Sequence, residues 1–336
     1  MSKKVKGIIG AAVAVLIVAV VIVLAVTWPT LMMRHHAAKY ELQPVELTQG
    51  ADRIYFLNTG SADAILIESD GKYALVDGAE DSDNPRNFPN LVYEGTEQYV
   101  VDTIKKIAGD ENGKVYLSFI LGTHAHSDHL GGLDTVIMDP DITVGQVYVK
   151  PYKSDIITAN EVEQWDNQEV YDQLIGACTS RGVPVIHDIP TDGFPFGDFT
   201  LTFCNTQDTV STDPVGENEN SVGLLVEKDG ARAFLAADIN NYDGDEDRIG
   251  AELGHVDLLK IGHHGYEGST GKPFVQALSP DIAIVTNTIH GVNKDALRAL
   301  NSVGAALYAT RENEGVVAEF TDQGIVLYKD IDHAVK

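Results

Sequence analysis

Ser118-Phe-Ile-Leu-Gly-Thr-His-Ala-His-Ser-Asp-His-Leu-Gly-Gly132 decides the reading of this chain. Tyr116 to Leu121 is a short, mostly apolar run of strand type, and the polar burst after it carries His124, His126, Asp128 and His129. Side chains alternate along an extended segment, so His124 and His126 can point the same way and share one ion. Asp128 and His129, slightly further on, can face a second ion beside the first. Gly131 and Gly132 let the backbone pass close to such a site and start a helix. Neutral imidazole and carboxylate without thiolate suit zinc, manganese or iron.

Outward from this stretch, two more phrases offer ligands. Ala233-Phe-Leu-Ala-Ala-Asp238 ends a strand-like run on a carboxylate, and Leu258-Leu-Lys-Ile-Gly-His-His-Gly265 ends another on two imidazoles. A carboxylate that bridges two ions must be held rigidly at an element's end, which suits Asp238. Adjacent side chains diverge, so one of His263 and His264 is expected on metal and the other on substrate; His264 is taken as the ligand.

His-Ala-His-Ser-Asp-His resembles the HxHxDH signature of the metallo-β-lactamase superfamily. The resemblance implies an αββα sandwich of α/β class, with one or two metal ions between the sheets and hydrolytic activity. The His-His-Gly phrase, Ile54 to Glu68 and Ala74 to Ala79 resemble its competence-protein branch, in which Asp63 and Asp77 would sit near the metals. Much of residues 54 to 330 also resembles the catalytic domain of phosphorylcholine esterases, enzymes that remove phosphorylcholine from teichoic acid; Val147-Tyr-Val-Lys and Glu163-Gln-Trp-Asp-Asn are among the shared phrases. The choline-binding repeats of that group are missing. One departure concerns the metals. Many superfamily members have a third histidine for the first ion, and here only His187 lies between the cluster and Asp238. It is read as a surface residue, leaving the first ion weakly held or completed by Asn218 or Asn220.

The first forty residues read separately. Lys3, Lys4 and Lys6 precede Ile8 to Trp28, an uncharged apolar run long enough to cross a membrane as a helix. A cleaved signal peptide has a shorter apolar region, and the lysines favour the cytoplasmic side. The expected organisation is a signal anchor over 1–34, a polar tether over 35–50 and one extracellular hydrolase domain over 51–336. Formal net charge is -26 in 336 residues. Such a surface repels polyanions, which disfavours a nucleic-acid partner. Cys178 and Cys204 are expected as unpaired thiols.

Along the domain, strands are expected at Ile54 to Leu57, Ala64 to Glu68 and Tyr73 to Val76, then a surface loop from Asp77 to Gln98. Helical spacing follows at Tyr99 to Ala108, Leu130 to Met138 and Asn160 to Arg181, with a strand at Val144 to Val149. The second half alternates strands and helices and closes on three strands.

The function expected is metal-dependent hydrolysis of a phosphoester of the cell envelope, with phosphorylcholine on teichoic acid a candidate substrate. Two divalent ions, zinc before manganese or iron, would be held by His124, His126, Asp128, His129, Asp238 and His264, and would activate water. Asp128, His263 and Tyr266 are the expected catalytic residues. Trp165, Tyr55, Tyr93 and Tyr266 are aromatic candidates for a quaternary ammonium. The competing readings are a surface nuclease, which would show salt-dependent DNA binding, and a binding module without turnover, which would hold less than one ion per chain.

Overall fold

Which side each strand turns to the interior follows from its apolar alternation. In β2 (Arg53–Phe56), Ile54 and Phe56 enter one hydrophobic cluster and Tyr55 another. The same alternation runs through β3 (Ile65–Ser69) and β4 (Lys72–Val76), so each strand has two buried faces and must be covered on both. The computed structural model describes residues 3–37, 42–82, 95–209 and 214–334. In chain order the first half contains α1 (Lys3–Ala37), β1 (Gln43–Pro44), β2 to β4, α2 (Glu97–Ala108), β5 (Val115–Gly122), α3 (Ser127–Leu130), α4 (Leu133–Met138), β6 (Ile142–Val144), β7 (Val147–Val149), α5 (Ala159–Gln164), α6 (Asn167–Arg181) and β8 (Val185–Ile186). The second half contains β9 (Phe194–Phe196), β10 (Phe199–Cys204), β11 (Gly223–Lys228), β12 (Ala231–Leu235), α7 (Asp245–Leu253), β13 (Leu258–Lys260), α8 (Lys272–Leu278), β14 (Ile282–Val285), α9 (Lys294–Val303), β15 (Ala306–Ala309), α10 (Thr310–Asn313), β16 (Val316–Thr321) and β17 (Gly324–Lys329).

Two sheets result. One runs β1-β17-β16-β2-β3-β4-β5-β7-β8, with β6 also paired to β5, and the other runs β15-β14-β13-β12-β11-β10-β9. Phe119, Leu121, Leu201, Phe203, Leu224 and Leu235 fill the space between them. Outside the first sheet, Val100 and Ile104 of α2, Val136 of α4 and Leu174 of α6 cover Leu66, Leu75 and Leu117. Outside the second, Ile249 of α7, Phe274 of α8 and Leu297 of α9 cover Phe234, Leu259 and Ala283. This is the four-layer αββα arrangement.

Several elements differ from expectation. The helix expected over Asn160 to Arg181 is two: Thr158 caps α5, and extended backbone at Trp165 separates it from α6. The helix expected over Leu130 to Met138 breaks at Gly131 and Gly132. A Cβ on Gly132 would lie 2.2 Å from Gly78 O, so the break follows from a close backbone crossing. The strand over Val144 to Val149 divides into β6 and β7. Part of the expected loop at Asp77 to Gln98, residues 83–94, lies outside the described residues. The tether is shorter than expected: Leu42 and Val45 are buried, β1 pairs with β17, and Val45 N donates to Lys329 O at 2.9 Å. At the amino end, Ile9–Trp28 of α1 is long and apolar enough to cross a membrane, and none of it is buried.

Candidate metal centre

The strands deliver the histidines to one place. β4 and β5 are parallel neighbours, so Asp77, just past β4, lies beside Thr123, just past β5. Asp77 Oδ1 accepts from Thr123 N and Oδ2 from Thr123 Oγ1, both at 2.8 Å. From that anchor the chain runs through His124 to His126, which stands at the N-terminus of α3, and Asp128 and His129 follow within that turn. From the opposite sheet, β12 and β13 are also parallel neighbours; Asp238 lies just past the first, and His263 and His264 just past the second.

The imidazoles converge in two pairs. His124 Nε2 and His126 Nδ1 are 3.1 Å apart, as are His129 Nε2 and His264 Nε2. Asp238 lies between the pairs. Its Oδ1 is 3.2 Å from His129 Nε2 and 3.5 Å from His264 Nε2, while its Oδ2 is 4.0 Å from His124 Nε2. Asp128 closes the second pair, 3.3 Å from His264 Nε2 and 3.9 Å from His129 Nε2. Asp63 is also near the second pair, but it faces the Nδ1 atoms, at 3.4 Å from His264 and 3.9 Å from His129. It therefore stands behind the rings, where Asp128 and Asp238 stand in front.

Behind each imidazole is an acceptor or hydroxyl that fixes the ring. His129 Nδ1 meets Asp77 Oδ2 at 2.7 Å, and His264 Nδ1 meets Thr286 Oγ1 at 3.0 Å. Thr286 Oγ1 in turn donates to Asp63 at 2.6 Å. His124 Nδ1 meets Thr123 Oγ1 at 3.1 Å, and His126 Nε2 meets Glu161 Oε1 at 2.9 Å. Asp63 is neutralised by Lys260, a fully buried lysine that also donates to Ala237 O at 2.9 Å. Glu161, Lys260 and Thr286 were not singled out from the sequence. A lone polar residue in a short helix or at a strand end carries no periodic signal; only the Leu258-Leu-Lys phrase touched one of them.

Charge is concentrated in this cluster. Burial opposes protonation of His129, but Asp238, Asp77 and Asp128 raise it well above the usual range. Burial is likewise outweighed at His264, which Asp238 and Asp63 bring to about 9. His124 is held well below its usual value by burial and by His129 and His126. Burial would raise Asp238, yet His264 and His129 hold it well below the carboxylate range. Four carboxylates therefore draw protons onto imidazoles that a divalent cation could replace.

His263 and His264 both adopt left-handed backbone, with φ of 51° and 48°. For residues with a Cβ this costs about 1–2 kcal/mol each, and such strain collects at functional sites. It turns the two rings apart. His264 is buried in the cluster, while the His263 side chain is 28% exposed, with Nε2 4.0 Å from Asp238 Oδ2. Tyr266 is exposed nearby, its OH accepting from Ser61 Oγ at 2.9 Å. Trp165 lies against His126, ring centroids 5.4 Å apart. Tyr55, by contrast, is fully buried and bonded to Glu68, so it faces no ligand, and Tyr93 lies outside the described residues. His187 is exposed and bonded to Val149 O at 2.9 Å. Cys178 and Cys204 are free.

The residues present fit a pair of divalent ions. Donor atoms of His124, His126 and Asp238 lie within 4.8 Å of one another, as do those of Asp63, His129, Asp238 and His264; with Asp63 on the Nδ1 side and paired to Lys260, Asp128 is the second carboxylate facing the Nε2 atoms. Asp238 Oδ1 is buried without a hydrogen-bond partner among the described residues, an acceptor left for a cation. Residues 104–309 match the family described as the beta-lactamase superfamily domain. ComE operon protein 3 of Bacillus subtilis (strain 168) is 24% identical over 202 residues, 59% of this chain and 24% of that protein's length. Among solved structures, the metallo-beta-lactamase fold protein YhfI from Bacillus subtilis covers 80% of this chain and 99% of its own at 13% identity, with a TM-score of 0.47. CmlA, a diiron beta-hydroxylase from Streptomyces venezuelae, covers 77% of this chain and 53% of its own at 13% identity, with a TM-score of 0.42.

Proposed function

The chain belongs to the beta-lactamase superfamily, and from that premise we propose that it is a membrane-anchored, metal-dependent hydrolase of phosphoesters. The observation that carries this reading is Asp238, whose two oxygens face two separate pairs of imidazoles. One carboxylate shared in this way suits two ions side by side. His124, His126 and Asp238 would hold the first ion, and Asp128, His129, Asp238 and His264 the second, with zinc the leading candidate. Bound there, the ions would supply Lewis acidity that activates water and offsets charge on the phosphoryl oxygens.

The chain's own residues orient the substrate. Tyr266 accepts the Ser61 hydroxyl proton in a hydrogen bond, so its own O–H is free to donate to a phosphoryl oxygen. His263 Nε2 lies on the solvent side of Asp238, where it can receive a proton. Asp128, one-fifth exposed, lies 3.3 Å from His264 Nε2. Trp165 and Tyr266 give the mouth two aromatic faces, which supports a substrate bearing a quaternary ammonium, such as phosphorylcholine on an envelope polymer. The apolar length of α1 and the lysines before it support anchoring with the domain outside. A second reading, a nuclease, is favoured by the similarity to ComE operon protein 3 and opposed by the net charge of -26.

The test is hydrolysis of p-nitrophenyl-phosphorylcholine and of bis-p-nitrophenyl phosphate, with zinc or manganese and with chelator. Preference for the choline ester that vanishes on chelation is the expected result. Preference for the plain diester would favour the nuclease reading, and no hydrolysis of either would overturn the enzymatic one.

A further inference from the structure

Three protein donors face the first ion, His124 Nε2, His126 Nδ1 and Asp238 Oδ2. The turn Glu217–Asn220 is pinned against this side of the site from two directions. Glu217 N donates at 3.0 Å to Glu161 Oε1, the same oxygen that meets His126 Nε2, and Glu217 Oε1 accepts at 2.9 Å from the backbone of Ala125, between the two histidines. On its other flank, Asn218 Nδ2 is 3.3 Å from His263 Nε2, which itself lies 4.0 Å from Asp238 Oδ2. The turn thus reaches the His126 side of the site through Glu217 and Glu161, and the Asp238 side through Asn218 and His263.

The chemistry of His263 fixes which way the amide faces. His263 Nδ1 is 3.1 Å from Glu267 O, and a carbonyl only accepts, so Nδ1 carries the ring proton and Nε2 the lone pair. The Asn218 amide must then turn its NH2 to His263 and its oxygen away. That oxygen is buried and has no hydrogen-bond partner among the described residues. A buried acceptor left unpaired costs about 1–3 kcal/mol. Its neighbours offer no substitute. Asn220 is engaged through Nδ2 with Glu217 Oε1 at 3.3 Å and through Oδ1 with Thr209 at 3.5 Å. Glu217 Oε2 and both Glu219 oxygens are likewise buried without a hydrogen-bond partner among the described residues, but Glu217 does not join the group formed by His124, His126 and Asp238, and Glu219 lies beside Asp243 and Asp245.

We propose that Asn218 Oδ1 is the fourth protein donor to the first ion. The inference rests on the two-ion reading above. It gives the two sites unequal charge: the second has two carboxylates, Asp128 and Asp238, while the first has only its share of Asp238 and a neutral amide. Affinity for a divalent cation follows ligand charge, so the second site fills first and the first is the weaker.

Zinc and manganese binding to the detergent-solubilised full chain, measured by calorimetry and by metal content, tests this with Asn218→Ala and Asn218→Asp. The wild type should bind two ions in two steps. Asn218→Ala should keep the tight step and weaken the other by on the order of tenfold or more. Asn218→Asp, which adds a charge, should tighten that step, and its cobalt-loaded form should show an altered visible spectrum. Wild-type binding of both ions by Asn218→Ala overturns the assignment and leaves the two-ion site standing. A wild type that saturates at one ion overturns both. Should Asn218→Ala fail to fold, an unchanged weak step and cobalt spectrum in Asn218→Asp overturn the assignment instead.

Discussion

At the scale of single residues, the site depends on what stands behind the ligands as much as on the ligands. Asp77 holds His129 by Nδ1 and Thr123 by both backbone and hydroxyl, so one carboxylate aligns the start of the histidine run and its end. Asp77→Asn should lower metal affinity by roughly 10–100-fold with the fold intact, measured by competition with a chromophoric chelator; wild-type affinity would remove Asp77 from this role. The metal-free protein should also respond to pH in a defined direction. His264 is raised from 6.5 to about 9, and Glu80, buried and beside Asp128, from 4.5 to about 8. Between pH 6.5 and 8 the unfolded chain holds fewer protons than the folded one at both groups. Stability of the chelated domain therefore falls as pH rises through that window. Metal must displace the His264 proton, so metal affinity rises over the same range. Melting curves at pH 6.5 and 8, with chelator and with zinc, should show the two trends opposed; a chelated protein more stable at pH 8 would contradict the assignment.

At the scale of elements, the boundary between α1 and the domain is the testable point. Leu42 and Val45 are buried, each contributing roughly 1.5–3 kcal/mol, and β1 adds a parallel edge pairing to β17. A chain begun at residue 42 should be soluble without α1 and melt clearly above one begun at residue 51. Equal melting temperatures would show that the leading segment stabilises nothing. The break between α5 and α6 falls at Trp165, whose ring lies against His126, while Glu161 of α5 meets Nε2 of the same imidazole.

At the scale of the whole molecule, charge selects among substrates. With a net charge of -26, the protein repels an anionic polymer, and salt screens that repulsion. Raising ionic strength from about 10 to 150 mM, over which the screening length shrinks from roughly 30 to 8 Å, should increase kcat/KM towards bis-p-nitrophenyl phosphate and change it little towards the zwitterionic choline ester. A fall with salt towards the anionic substrate would instead reveal local positive charge at the site and favour a polyanion as the natural substrate.

The sequence by itself determined the layered architecture and the imidazoles and carboxylates that converge. Strand alternation, helical spacing and the His124-to-His129 run are local properties, and each is written in consecutive residues. It did not determine the breaks at Gly131–Gly132 and Trp165: at the first, Gly78 and Ala79 cross against Gly132, which spacing within one helix does not record. The preference for His264 over His263 had no local basis, since which ring enters the cluster depends on the left-handed backbone at both and on where Asp238 and Thr286 lie. Tyr55 was read as a ligand candidate from its type alone, and burial between sheet and helices excluded it. Glu161 and Lys260 took their places only in the folded chain, because each acts through a partner at least 23 residues away, His126 or Ala237, and the fold alone separates Asn218, whose oxygen is unpaired among the described residues, from Asn220.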